Sequence, residues 1–204
     1  MLARKPAIER KAEIVDAMLR LADEVGPDRL TTQAVADAVG LTQPAIFRHF
    51  AKKQDLWVAV AATIAERLKA AWQQALDASG DPKTRIEGLI LGQLRQIEAM
   101  PAIPSILFSR ELQAENEALR QSVAGLMTEL VALLAAELAR GQRAGVFDVG
   151  LPAGDGALLL VALVQSLAIR WTLGKRGFAM EDEGRRLMGA QMRLLDVTKT
   201  EIKA

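Results

Sequence analysis

The 204-residue chain contains no cysteine and a single histidine, His49. Disulfide bonds, thiol catalysis and zinc–thiolate sites are therefore excluded, and a multi-histidine metal site cannot form. We predict no metal and no cofactor. The lack of cysteine also fits a reducing compartment, and we expect a cytoplasmic protein.

Aromatic residues make up only 4% of the chain and tyrosine is absent, although half of the residues are apolar. A sizeable core is possible, and it must be built from Leu, Ala, Val, Ile and Met. Leu, Ala, Arg, Glu and Gln favour helix, and runs of β-branched residues with a period of two are missing. The composition therefore predicts an all-α protein.

Long apolar runs and catalytic clusters are also scarce. The N-terminal segment has no apolar core like that of a signal peptide, and the most apolar run, residues 157–169, is 13 residues long. A membrane-spanning helix needs about 20 apolar residues, so we expect no membrane partner. The acidic run 181–183 is typical of a solvated helix start, and with no glycine-rich phosphate loop we expect no catalytic residue and no enzyme.

The stretch from Leu30 to Phe50 has the pattern of two short helices joined by a tight turn. Thr31 or Thr32 can cap the first helix, and Gly40 falls where that helix must end with φ > 0. Thr42 is placed to cap the second helix. This pattern predicts a helix-turn-helix, in which the second helix presents hydrogen-bond donors to a DNA groove.

Two observations favour DNA binding over the alternative, an ordinary helical hairpin inside a core. The exposed face of the second helix is polar, and Lys52 and Lys53 follow it at once. Residues 1–54 carry an excess of two positive charges, whereas residues 55–204 carry one excess negative charge. On charge alone, a solvated charged face explains this distribution equally well.

Periodicity and chain breakers divide the rest of the chain into helices. A basic arm, residues 1–7, leads into a helix over 7–25, and Pro101 and Pro104 interrupt the chain later. A polar loop over 113–118 is expected between two of the later helices. The helices predicted after the helix-turn-helix are 55–78, 82–100, 105–112, 116–143, 154–173 and 180–197.

Residues 8–60 resemble the DNA-binding domain of TetR/AcrR-family transcriptional regulators. Phe47 stands where an aromatic residue, more often Tyr, is usual in that family, so a phenolic phosphate donor is absent. The remaining chain matches only as a helical chain of suitable length. The residues that carry the resemblance are Ile14, Ala17, Leu21, Thr32, Ala36, Gly40, Phe47, His49, Phe50, Lys53, Leu56 and Trp57.

The resemblance implies a three-helix DNA-binding head, residues 1–54, on a six-helix body, residues 55–204, that binds a small molecule and dimerises. Arg48 suits guanine and Gln43 suits adenine, while hydroxyls, His49 and Lys53 suit phosphates. The residues that it implies for the DNA interface are Thr32, Gln33, Thr42, Gln43, Pro44, Ala45, Phe47, Arg48, His49 and Lys53.

Two further expectations concern the body. The helix over 154–173 is apolar almost all round, so it is either sandwiched inside one chain or, with 180–197, forms a homodimer interface as the family does. Large side chains beside polar ones can line a ligand cavity, although core packing is the more common role of each. The predicted pocket residues are Trp72, Gln93, Met100, Phe108, Arg110, Met127, Gln165 and Trp171.

These observations together predict a sequence-specific DNA-binding regulator of transcription. We expect a repressor that a small apolar or amphipathic ligand releases from a palindromic DNA operator. The alternative is a DNA-binding dimer whose body has no small-molecule effector. A second alternative is a purely structural helical scaffold, which would give Gln43 and Arg48 no function.

Overall fold

The computed structural model describes residues 6–78 and 80–196 and confirms an all-α protein. The described residues form ten α-helices and one 3₁₀ turn, Pro27–Arg29, which lies between α1 and α2. Most of the basic arm predicted over residues 1–7, and residue 197 of the last predicted helix, lie outside the described residues. The helices are α1 (Ala7–Val25), α2 (Thr32–Ala38), α3 (Gln43–His49), α4 (Lys53–Ala78), α5 (Pro82–Ala99), α6 (Ala102–Phe108), α7 (Arg110–Glu115), α8 (Glu117–Arg143), α9 (Ala153–Leu173) and α10 (Met180–Leu195).

The prediction of one helix over 105–112 followed by a polar loop over 113–118 is wrong. Two short helices, α6 and α7, occupy this stretch, so seven helices follow α3 among the described residues rather than six. Pro104 is tolerated because it is the third residue of α6, where a missing N–H costs no intrahelical bond. Ser109, with φ −68° and ψ 106°, ends α6 and caps α7.

Packing divides the described residues into two compact units. The first unit consists of residues 6–67 and 100–125, and the second consists of residues 68–78, 80–99 and 126–196. Helices α4 and α8 each contribute residues to both units. This division by packing differs from the predicted boundary between residues 54 and 55. The division into a DNA-binding domain, 1–54, and a body, 55–204, stays a prediction.

The first unit is held by the apolar faces of the N-terminal helices. Ile14 and Met18 of α1, Val35 of α2 and Ile46 of α3 are almost completely buried. Helix α1 packs on α2, α3 and α6, and α7 packs on the 3₁₀ turn. Burying each of these aliphatic side chains contributes about 1.5–3 kcal/mol, so the short helices α2 and α3 depend on this shared core.

The second unit is built around α5, α9 and α10, which pack on one another. The Nε1–H of Trp72 donates to Oε1 of Gln93 at 2.8 Å, so a buried polar pair sits within this apolar core. The buried carboxylate of Glu137 is compensated by Arg85 and Arg140. Burial of a charge without such partners would be strongly unfavourable.

Helices α5 and α10 approach closely at Gly184. A Cβ at this position would overlap Cδ1 of Leu94, a fully buried side chain. We expect Gly184→Ala to lower the free energy of unfolding by about 1–3 kcal/mol, because the methyl group must displace a packed neighbour. Gly189 of the same helix is the matched control, since a Cβ there would meet only an arginine nitrogen at 4.0 Å.

Urea denaturation of both variants measures this difference. Gly189→Ala is expected to raise the free energy of unfolding by about 0.4–1 kcal/mol, because alanine restricts the unfolded chain. Equal stability of the two variants would contradict close packing at Gly184.

Two helices, α8 and α9, are long and apolar enough to cross a bilayer by length and composition alone. Core helices of soluble proteins pass the same test, so the observation is weak evidence for a membrane. Less than half of each apolar window is buried within the chain, 28% in α8 and 44% in α9. Among the described residues, the large apolar side chains exposed on these two helices all lie on α9, at Leu158, Leu159, Ile169 and Leu173.

Candidate DNA-binding site

Helix α2 and the turn after it have the hydrogen bonds of a well-formed helix-turn-helix. Thr31 rather than Thr32 is the cap of α2, because its Oγ1 accepts from the Ala34 N–H at 3.1 Å. Gly40 has φ +64°, as predicted, and the Leu41 N–H bonds to the Ala36 carbonyl at 2.9 Å. This bonding closes the end of α2 and sets the direction of the chain into α3.

Helix α3 begins at Gln43 and is fixed by its buried side. Thr42 has the extended backbone of a cap residue, but its side chain makes no capping bond, so the predicted capping role of its hydroxyl is wrong. Pro44 lies in the first turn, where its missing N–H is harmless. Ile46 is fully buried, which locks one face of α3 into the first unit.

The opposite face of α3 is open to solvent. Pro44 and Arg48 are exposed, Phe47 is 39% exposed, and His49 is half-buried at the end of the helix. The side chains of Arg48, His49 and Lys53 form no hydrogen bond or ion pair within residues 6–78 and 80–196. A long guanidinium and an ammonium with no partner among the described residues are suited to bases and phosphates.

Four of the residues proposed for the DNA interface are already engaged within the head. Ala45 is only 6% exposed and Thr32 only 9%, so both pack inside the first unit and are poorly placed to touch a groove. Gln43 Nε2 donates to Thr32 Oγ1 at 3.2 Å, and Gln33 Nε2 donates to Asp37 at 2.7 Å. The burial of Ala45 and Thr32 depends on how the helices of the first unit pack together, and local sequence patterns predict that packing only in part.

Lys11 is a basic residue of α1 that was not among the residues predicted for the DNA interface. Its Nζ lies 5.4 Å from the centre of the Phe50 ring, which follows α3 directly. The ammonium thus adds positive charge beside the end of the recognition helix. No spacing rule in the sequence links a residue of α1 to this position.

The eight residues predicted for a ligand pocket do not lie in one unit. Met100, Phe108 and Arg110 belong to the first unit, and the other five belong to the second. Within the second unit, Trp72 bonds to Gln93, and the Nε2 of Gln165 lies 3.9 Å from the sulfur of Met127. Trp171 donates its Nε1–H to the Phe178 carbonyl at 3.1 Å. The pocket therefore stays a prediction.

The first unit also contains an open groove of about 180 Å³ that the sequence did not indicate. It lies between the 3₁₀ turn, the start of α4 and α7, and none of the predicted pocket residues lines it. Its lining residues are Pro27, Asp28, Lys53, Gln54, Trp57, Glu111, Leu112, Glu115 and Asn116.

Comparison with known proteins finds similarity first in the N-terminal region. Residues 14–60 match the family model described as bacterial regulatory proteins, tetR family. The chain is 27% identical over 129 residues to the nucleoid occlusion factor SlmA of Shewanella pealeana, and this aligned stretch covers 63% of this chain and 66% of that one. SlmA of Vibrio vulnificus is 30% identical over 115 residues, covering 56% and 59%. The matches thus span less than two thirds of these relatives.

Solved structures share the fold over nearly the whole chain. The fatty acid degradation regulator FadR from Bacillus halodurans matches with a TM-score of 0.77 at 16% identity, covering 93% of this chain and 96% of that one. A transcriptional regulator from Saccharomonospora viridis in complex with choline matches with a TM-score of 0.80 at 21% identity, covering 91% and 96%. FadR from Bacillus subtilis in complex with stearoyl-CoA matches with a TM-score of 0.74 at 15% identity, covering 89% and 97%.

These likenesses agree with the geometry of the head. The matched residues 14–60 contain the capped α2, the Gly40 turn and the exposed face of α3. Residues 14–60, which hold the helix-turn-helix, are therefore similar to the tetR family of bacterial regulatory proteins, and the solved structures share the fold of nearly the whole chain.

Proposed function

We propose that the protein is a cytoplasmic, homodimeric repressor that leaves a palindromic operator when it binds a small apolar or amphipathic molecule. The observation that carries the proposal is the face of α3, where Arg48 is exposed beside Phe47 and has no partner among the described residues. A gel shift tests it, using duplexes selected by the protein from a random library, with and without candidate ligands.

The roles at the DNA interface follow from the chemistry of each side chain. Arg48 can donate two bonds to a guanine edge, and Lys53 can neutralise a phosphate. Gln43 can read adenine only if it exchanges its bond to Thr32 for bonds to the base. We assign Ala45 and Thr32 to packing of the head rather than to direct contact.

Lys53→Ala is expected to weaken binding to all DNA sequences by a similar factor. A phosphate contact carries no sequence information, and its loss releases fewer counterions on binding. The slope of log affinity against log salt should become shallower by about 1 for each Lys53 removed from the complex. Anisotropy titrations across a salt series measure this slope, and an unchanged slope would remove Lys53 from the interface.

Dimerisation through α9 and α10 is supported by apolar side chains that solvent reaches in the single chain. Leu158, Ile169 and Leu173 of α9 are 56%, 44% and 79% exposed, and Leu194 of α10 is 83% exposed. Large exposed apolar residues on adjoining helices are typical of a subunit interface. Leu167, two residues before Ile169 in α9, is fully buried.

The effector is proposed from the fold neighbours and from α4. FadR from Bacillus subtilis was solved with stearoyl-CoA and the Saccharomonospora viridis regulator with choline. Helix α4 has 26 residues, so it is about 39 Å long, and it contributes to both units. A ligand that shifts its Trp72 end can thereby change the position of its Lys53 end.

Ligand and operator are expected to weaken each other's binding by the same factor. Linkage makes the coupling free energy reciprocal, and a ligand that favours neither state cannot act as a switch. The measurement is a thermal-shift screen that includes stearoyl-CoA and choline, followed by calorimetry of the hit with and without operator. Equal affinities in the two titrations would show that the hit is no effector.

The alternative function is a DNA-binding dimer without a small-molecule effector. Its support is that the curated relatives are nucleoid occlusion factors, a description that mentions no small molecule, and the matches span less than two thirds of their length. No hit in the thermal-shift screen, together with specific DNA binding, would support this alternative.

A further inference from the structure

Helix α7 is a six-residue helix with a buried polar residue at each end. Ser109 precedes it and is 7% exposed, and Asn116 follows it and is 4% exposed. Buried polar side chains are costly unless their hydrogen-bonding groups find partners. Both side chains meet this requirement with two hydrogen bonds each. One bond caps the helix that follows the residue, and the other joins the residue to the head or to the first turn of α4.

Ser109 joins the start of α7 to the segment just before the helix-turn-helix. Its Oγ accepts from the Leu112 N–H at 3.0 Å, which caps α7, and its hydroxyl donates to Oδ1 of Asp28 at 2.5 Å. Asp28 lies in the 3₁₀ turn between α1 and α2. A hydrogen bond to a carboxylate is about twice as strong as one between neutral groups.

Asn116 joins the end of α7 to the segment just after the helix-turn-helix. Its Oδ1 accepts from the Leu119 N–H at 3.0 Å, which caps α8, and its Nδ2 donates to the Gln54 carbonyl at 3.0 Å. Gln54 is in the first turn of α4. A carbonyl oxygen has two lone pairs, so Gln54 can accept this bond and still serve its own helix.

The two bonds to the head bracket the helix-turn-helix in the sequence, at Asp28 before α2 and at Gln54 after α3. We propose that α7 is a brace, and that Ser109 and Asn116 are positioning residues that hold α2 and α3 in the arrangement that binds DNA. This inference rests on the proposed DNA-binding function, and it names α7 as the segment that positions the helix-turn-helix for that function.

The groove beneath α7 explains why the two end bonds matter. Residues of α7 line it together with Pro27, Lys53 and Trp57, so apolar contact between α7 and the head is interrupted there, although α7 still packs on the 3₁₀ turn. With less continuous packing, the bonds at the two ends take a larger share in fixing the distance between α7 and the head. A shift of α7 that breaks them would release both ends of the helix-turn-helix.

Two substitutions remove a brace bond while leaving the helix cap in place. Asn116→Asp keeps an oxygen for the Leu119 N–H, and Asp caps as well as Asn, but it loses the donor to the Gln54 carbonyl. Asp28→Ala removes the acceptor of the Ser109 hydroxyl, which can still cap α7. Because one variant adds a negative charge and the other removes one, long-range electrostatics would move their DNA affinities in opposite directions.

The brace predicts that both variants bind the operator about tenfold more weakly, the order expected for one buried hydrogen bond. The probe is a duplex selected by the wild-type protein from a random library, titrated by fluorescence anisotropy. Ala118→Asp is the control for added charge, since Ala118 is exposed in the first turn of α8. Asp28→Asn, which keeps a carbonyl acceptor, should restore most of the affinity.

Hydrogen exchange of the amides in 32–49 is the second readout. Both brace variants should exchange faster there than wild type and than Ala118→Asp, with unchanged exchange in the second unit as the evidence of a folded chain. Wild-type DNA binding with unaltered affinity and exchange in both variants would overturn the brace and leave the proposed function intact. If the wild type selects no DNA, the proposed function fails, and exchange alone decides whether α7 braces the head.

Discussion

Ile169→Glu is expected to give a folded monomer that no longer binds the operator. Ile169 is 44% exposed on the same side of α9 as Leu158 and Leu173. In a dimer this face is buried, and a carboxylate there loses its hydration without gaining a partner, a cost of several kcal/mol for each subunit. A two-fold interface applies that cost twice, which is enough to abolish assembly at micromolar concentration.

The matched control for this prediction is Leu167→Glu, two residues earlier in the same helix. Leu167 is fully buried in the subunit, so a charge there is expected to unfold the second unit rather than separate two folded subunits. Sedimentation and circular dichroism distinguish the outcomes. A wild-type protein that sediments as a monomer at micromolar concentration would contradict the dimer.

Arg48→Ala is expected to weaken specific DNA binding by about 1–3 kcal/mol at each half-site. Two heads contact a palindromic operator, so the loss for the whole site is about 2–6 kcal/mol if the two sites are independent. Preference should relax at one base pair of each half-site, because a guanidinium reads guanine specifically.

Selection of new duplexes with the Arg48→Ala protein measures that relaxation. Lys53→Ala provides the contrast, because it should weaken every sequence alike and leave base preference unchanged. Unchanged operator affinity and base preference in Arg48→Ala would mean that α3 does not read the DNA through this residue.

The head was largely predictable because its signals are local. A cap at Thr31, a left-handed glycine at Gly40 and a proline in the first turn of α3 each act over a few residues. The bounds of α1, 7–25, were predicted from apolar periodicity and chain breakers and agree with the structure. Tertiary contacts decide which hydroxyl forms the cap bond. They also decide which of the predicted interface residues are buried.

Helix α7 could not be predicted because its stabilising contacts are distant in the sequence. Its ends bond to residues 81 and 62 positions away, Ser109 to Asp28 and Asn116 to Gln54. The polar stretch 113–118 has no apolar stripe that would indicate a helix. Residues 110–112 were therefore predicted as the end of a helix over 105–112 and residues 113–118 as a loop, so neither the brace nor the groove beside it was predicted.

The outward face of α9 was ambiguous for a different reason. A helix that is apolar almost all round has no periodicity to separate its core side from its interface side. Leu167 and Ile169 are two residues apart with similar hydrophobicity, yet only Ile169 is accessible. The choice between them required the packing of α9 on α5 and α10.

The central claim is that two helix-turn-helix heads, held at a fixed spacing, read one two-fold symmetric DNA site. The most direct test is an anisotropy titration of the wild-type protein with its selected duplex and with the same duplex carrying about five extra base pairs at its centre. That insertion turns the half-sites to opposite faces of the double helix, because one turn takes about 10 base pairs. We predict that affinity falls to the level of non-specific DNA; equal affinity for the two duplexes would contradict the claim.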